Sequence, residues 1–190
     1  MPNLALTTFS GADAIWKRLA LGLTGVGAAL AVPATAALKP GARAPAIETM
    51  AAQGGKAFRF NLSQALRRGP VVLYFYPKAY TKGCTLEARA FAEATDDFER
   101  LGATVIGLSA DNIETLKRFS VEECRSKFPV GVANAATIRA YDVKLPAVAM
   151  SNRTSFVIGQ DGRIAYAYSD LSHKNHVANT LAAVRRLRRA

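Results

Sequence analysis

The sequence predicts an α/β domain, a mixed central sheet with helices on both faces. Three observations carry that reading. Residues 71–76 (VVLYFY), 103–109 (ATVIGLS) and 154–159 (TSFVIG) are apolar runs rich in β-branched and aromatic residues, as expected of strands covered on both faces. Helical patterns separate and follow them, the clearest with apolar positions Leu86, Ala90, Phe91, Ala94 and Phe98. The third run leads into Gln160-Asp161-Gly162 and an alternating segment at 163–168, the pattern of a β-hairpin.

In chain order, Lys39-Pro40-Gly41-Ala42-Arg43-Ala44-Pro45 reads as an extended lead-in, because proline keeps its predecessor out of the helical region. A short strand is expected at 57–60, after Gly54-Gly55, and a brief helix over 62–68 that Pro70 ends. Strand 71–76 stops at Pro77, and the helix over 84–100 closes at Gly102. Asp111 is the expected cap of a helix over 112–125, with Glu114 as its capping-box partner. A short helix or turn covers 137–143, and residues 174–189 form a closing helix. Strand–helix–strand–helix, then a hairpin, then a helix, is the thioredoxin-like arrangement.

With 190 residues, the chain has room for one well-buried domain and a tail. Half of it is hydrophobic and 21% is charged, which argues against a disordered chain. The formal net charge is +11, and losing Asp13, Lys17 and Arg18 with residues 1–36 would leave +10. The domain itself is therefore basic. Its cations form no base-reading helix, zinc-finger spacing or RNA-binding motif, so nucleic acid is not an expected partner. Arg185-Arg186-Leu187-Arg188-Arg189 reads as cations complementing the negative end of a helix.

The first 36 residues read as a secretory signal peptide. Lys17 and Arg18 precede the uncharged run 19–32 (LALGLTGVGAALAV), and Pro33-Ala34-Thr35-Ala36 supplies a small-residue exit. Fourteen helical residues span about 21 Å, short of the roughly 30 Å hydrocarbon core. Cleavage after Ala36 is therefore expected, leaving a domain over 37–190 that is periplasmic and not stably inserted in the membrane; the alternative is an uncleaved anchor.

The two cysteines, Cys84 and Cys124, could form a structural bridge, a redox pair or two unrelated thiols. A zinc site with His173 and His176 is disfavoured by spacing, and no metal or cofactor is expected. The histidines read as a solvated helix start without a catalytic role.

The informative stretch is Pro77-Lys-Ala-Tyr-Thr81-Lys-Gly-Cys84-Thr-Leu-Glu87. It joins a buried strand to a helix and so places Cys84 in the helix's first turn. Unpaired backbone N–H groups and the positive end of the dipole there stabilise a thiolate, which is the nucleophilic form. Thr81 can turn its hydroxyl toward the same point, and Pro77 fixes the loop and could shield the sulfur.

Pro77-x-x-x-Thr81-x-x-Cys84 resembles the active-site signature of peroxiredoxins, and YFYPKAYTKGCTLEA resembles their bacterioferritin comigratory protein type, the Q subfamily. The resemblance runs from Lys39 to Arg186 and includes Gly41-x-x-Ala44-Pro45, Gly107-Leu-Ser-Ala-Asp111 and Arg153-Thr-Ser-Phe-Val-Ile158. It implies a peroxiredoxin fold and a thiol peroxidase reducing hydrogen peroxide and organic hydroperoxides. Cys84 would become a sulfenic acid, with Thr81 and Arg153 holding the peroxide and Glu87 orienting Arg153 or lying on the surface. It also implies a thioredoxin-like reductant, and a monomer is expected.

Many members of that subfamily carry a second cysteine five residues after the first, where this chain has Arg89. By analogy with members whose resolving cysteine lies on the next helix, Cys124 would form a disulfide with Cys84. Because disulfide Cα atoms must come within about 7 Å, local unwinding would be needed. Two rival functions are a thiol–disulfide oxidoreductase, disfavoured by Thr81 where a C-x-x-C pair would need cysteine, and a non-enzymatic binding module using the basic tail.

Overall fold

The computed structural model describes residues 37–189. The predicted signal peptide and its cut lie outside them. The elements are β1 (Glu48–Gln53), β2 (Lys56–Asn61), α1 (Leu62–Leu66), β3 (Val71–Phe75), α2 (Lys82–Arg100), β4 (Thr104–Ser109), α3 (Ile113–Glu122), β5 (Val130–Val132), α4 (Ala135–Ala140), β6 (Thr154–Ile158), β7 (Ile164–Ser169) and α5 (His176–Leu187).

The strands form one mixed sheet in the order β2-β1-β5-β4-β3-β6-β7. β3 is parallel to β4 and β4 to β5, and the other pairings are antiparallel. β3 shows why a buried strand reads as continuously apolar. Val71, Leu73 and Phe75 enter one apolar cluster, with Leu62, Ala65 and Leu66 of α1 and Ile138 of α4. Val72, Tyr74 and Tyr76 enter a second cluster, with Phe91 and Phe98 of α2, Leu116 and Phe119 of α3, and Leu181 and Val184 of α5. Each large side chain fully buried this way contributes about 1.5–3 kcal/mol. Tyr74 lies over its register partner Gly107, where an added Cβ would come within 2.6 Å of the ring.

Several expectations need correction. Glu87 lies inside and Leu86 outside, because the buried stripe of α2 runs Cys84, Glu87, Ala88, Phe91, Ala92, Thr95, Phe98. Asn112, not Asp111, caps α3, its side chain accepting from the Thr115 N–H at 2.9 Å. α3 ends at Glu122, leaving Cys124 just beyond it. His176 is buried rather than solvated, because the start of α5 lies against β6 and β7. β1 and β5 carry no strand pattern of their own in the sequence; antiparallel pairing brings these two short segments together. Among the described residues, no helix is long and apolar enough to cross a membrane.

Candidate active site

Cys84 is the third residue of α2, directly after the loop that leaves β3. Thr81 occupies the cap position but makes no capping bond, so its hydroxyl does not pair with the backbone N–H groups of the first turn. The Thr81 hydroxyl instead donates to the Lys78 carbonyl at 3.0 Å, leaving its lone pairs free to accept. Pro77 is half-buried at the end of β3. Asp111 pins this loop: its Oδ2 accepts from the Ala79 N–H and the Ser109 hydroxyl, each at 2.8 Å.

Arg153, 69 positions away in sequence, is brought to the sulfur by the antiparallel pairing of β6 with β3. It is buried immediately before β6, and its Nη2 donates to Cys84 Sγ at 3.4 Å. Nη1 donates to Glu87 Oε2, and Nε donates to the Leu171 carbonyl at 3.0 Å. Three anchored nitrogens fix the plane of the guanidinium, which a lysine could not reproduce. Gly83 makes room for it, since a Cβ there would lie 3.1 Å from Nη2.

Glu87 is therefore not a surface carboxylate. Burial pushes its carboxyl up to about 8, against the opposing pull of Arg153. Its place was readable from spacing: it lies one turn after Cys84 and one turn before Phe91, both on the buried stripe. His176, from α5, had no such local signal. Its Nδ1 lies 3.6 Å from Glu87 Oε1, and Tyr168 packs edge-on against its ring.

Both cysteines are free thiols and belong to one apolar cluster. Burial first, and the nearby Glu123 charge second, push the Cys124 thiol well above its usual range. The residues after it, Arg125 and Ser126, have φ of 50° and 58°, a left-handed conformation that costs non-glycine residues. Three ion pairs tie this segment to one face of α2: Arg89–Glu123 at 2.7 Å, Glu93–Arg125 at 3.4 Å and Asp96–Lys127 at 3.1 Å. Among the described residues, no group of three or more His, Cys, Asp or Glu side chains could hold a metal ion.

The chain as a whole is similar to known proteins. The family profile described as AhpC/TSA matches residues 40–167. Peroxiredoxin Bcp of Escherichia coli is 31% identical over 119 residues, covering 56% of this chain and 72% of the relative. The crystal structure of peroxidoxin BcpB from Mycobacterium tuberculosis, 31% identical, matches with a TM-score of 0.68 over 78% of this chain and 97% of that one. Mycobacterium tuberculosis AhpC, at 21% identity, a TM-score of 0.70 and coverage of 80% and 94%, shares the fold.

Proposed function

The chain belongs to the AhpC/TSA family and is a thiol peroxidase of the Bcp type, and from that premise we propose how its residues divide the reaction. The Cys84 thiolate attacks one peroxide oxygen. The O–O bond breaks, the second oxygen leaves as water or alcohol after taking up a proton, and Cys84 becomes a sulfenic acid. Arg153 Nη2 and the uncapped first turn of α2 stabilise charge on sulfur and on the separating oxygens. Thr81 accepts a hydrogen from the peroxide with its free lone pairs. Pro77 holds the loop that positions Thr81. The observation that carries this reading is the hydrogen bond from Arg153 to Cys84 Sγ, made by a guanidinium held at all three nitrogens.

Cys84→Ser is expected to reduce peroxide consumption to the uncatalysed rate with an unchanged circular dichroism spectrum. Retained turnover would overturn the assignment.

In this reading Cys124 resolves the sulfenic acid through an intramolecular disulfide, which a thioredoxin-like donor reduces. What supports it is the strained segment 125–126 beside a thiol in the same cluster, a place suited to local unwinding. After one equivalent of peroxide, peptide mapping is expected to show loss of two hydrogens and an 84–124 crosslink. A lasting sulfenic or sulfinic acid on Cys84 would reject resolution by Cys124. The reading also includes export with cleavage after Ala36, checked by N-terminal sequencing of the secreted protein. It includes a monomer without cofactor or metal, whose state is checked by light scattering, and hydrogen peroxide and organic hydroperoxides as substrates.

A further inference from the structure

The end of the domain opposite Cys84 carries a face that the peroxide chemistry does not use. β3 is five residues long, about 16 Å, and Cys84 follows its C-terminal end. Around its N-terminal end lie Gly69, Gly102 and Gly159, because β4 runs parallel to β3 and β6 antiparallel. Two adjoining clefts open there and share Gln160 and Asp161. One is lined by Arg68, Arg163 and Arg188, the other by Arg43 and Arg67. These five arginines come from the lead-in, the segment after α1, the β6–β7 connection and the end of α5, and all are exposed.

Their charge is not compensated among the described residues. Asp161 is the one acid lining either cleft, and its Oδ1 already accepts from the Arg163 backbone N–H at 3.0 Å. Arg89, Arg125 and Lys127 beside α2 each hold a carboxylate, whereas none of the five arginines forms an ion pair among the described residues. Arg43 and Arg163 are moreover partners in an antiparallel bridge. Like charges directly opposite each other are destabilising, and an anion between them would relieve the repulsion. A helix end accounts for Arg188 but not for Arg43 and Arg163, which lie outside any helix. Arg163 Nη1 donates to the Gly41 carbonyl at 2.8 Å, which leaves its other donors for a ligand. The planar guanidinium fork fits the oxygens of a phosphate.

We propose that this face docks the domain on anionic lipid headgroups, with their phosphates at the two clefts and the Cys84 end left open to peroxide. Two features select lipid over nucleic acid. Residues 33–40 separate the uncharged run 19–32 from Gly41 in the cleft, and these eight residues reach at most about 29 Å when fully extended. Whenever that run enters a bilayer, the arginine face is held near the headgroups. No aromatic side chain lines either cleft for stacking on a base. The docking does not depend on the chemistry assigned to Cys84.

Cosedimentation of the full chain with vesicles tests it. Vesicles of phosphatidylglycerol and phosphatidylcholine are expected to bind more protein than pure phosphatidylcholine, which reports what the run 19–32 binds by itself. The excess should fall between about 0.01 and 0.15 M ionic strength, as the Debye length shortens from about 30 to 8 Å. Each arginine near an anionic surface contributes about fivefold, so Arg43→Gln with Arg163→Gln should weaken the excess binding about 25-fold. Arg67→Gln with Arg68→Gln should weaken it by a similar factor. Arg59→Gln with Arg118→Gln removes the same charge from exposed positions on β2 and α3, and is expected to change binding less than about twofold. All three variants should keep peroxide turnover. Equal binding to both kinds of vesicle, or an equal loss in the β2 and α3 variant, would overturn the proposal. Displacement of the vesicles by duplex DNA at equal phosphate concentration would overturn it too, by assigning the face to nucleic acid. Because Arg163 also holds the lead-in, the Arg67 and Arg68 variant decides should the first one not fold.

Discussion

Cys84 and Cys124 are both buried in one apolar cluster, yet their surroundings oppose each other. Cys84 lies in the first turn of α2, where the helix dipole favours an anion, with Arg153 Nη2 at 3.4 Å. Cys124 lies just past the end of α3, where the dipole disfavours an anion, and Glu123 adds a negative charge. Burial alone therefore says little about a thiol's reactivity; the end of the helix and the sign of the nearest charge say more. Each thiol also has its arginine. Arg153 acts on the sulfur itself, whereas Arg89 holds the segment that carries the second sulfur, through Glu123.

The largest expected effect breaks the first half of this comparison. Arg153→Met removes the fixed donor and is expected to slow peroxide reduction by about 10²–10³-fold, as measured by stopped-flow single turnover. A loss under tenfold would mean that the helix start alone activates Cys84.

A smaller effect probes the second half. Arg89→Ala cuts one partly exposed ion pair, a type worth at most about 1 kcal/mol. Formation of an 84–124 disulfide should therefore accelerate by no more than about fivefold, with added salt acting in the same direction. Slower formation would mean that the ion pairs guide Cys124 rather than restrain it.

A separate effect lies in the pH dependence of stability. Glu87 is raised from 4.5 to about 8, so the folded state binds more protons there, and stability falls as pH rises through that window. His176 is lowered from 6.5 to about 4, so the unfolded state binds more protons there, and stability rises as pH goes from 4 to 6.5. The two oppose each other until 6.5, and from 6.5 to 8 only the loss from Glu87 acts. Urea midpoints are expected to fall over that upper range and to flatten in Glu87→Gln; a wild-type midpoint that rises there would contradict the direction assigned to Glu87.

Much of the fold was legible because the main strands are locally self-consistent. VVLYFY has the length and composition of a strand covered on both faces, and Pro77 ends it. β1 and β5 were not legible. ETMAAQ and VGV carry little strand signal of their own and become strands because their neighbours supply the hydrogen bonds. Asp111 departs from its expected role for a related reason. Its position suits a helix cap, but the reactive loop lies within reach across the fold, and Asn112 is free to cap instead.

The sequence by itself determined the local setting of Cys84, the proposed nucleophile, because the strand, Pro77, Thr81 and the helix start all lie within a few residues of it. Tertiary structure alone decided what the sulfur faces. Arg153 and His176 join Cys84 and Glu87 of α2 because β6 pairs with β3 and the start of α5 lies against β6 and β7. Burial in that shared interior sets their protonation, and burial is a property of packed elements, not of the segments that compose them.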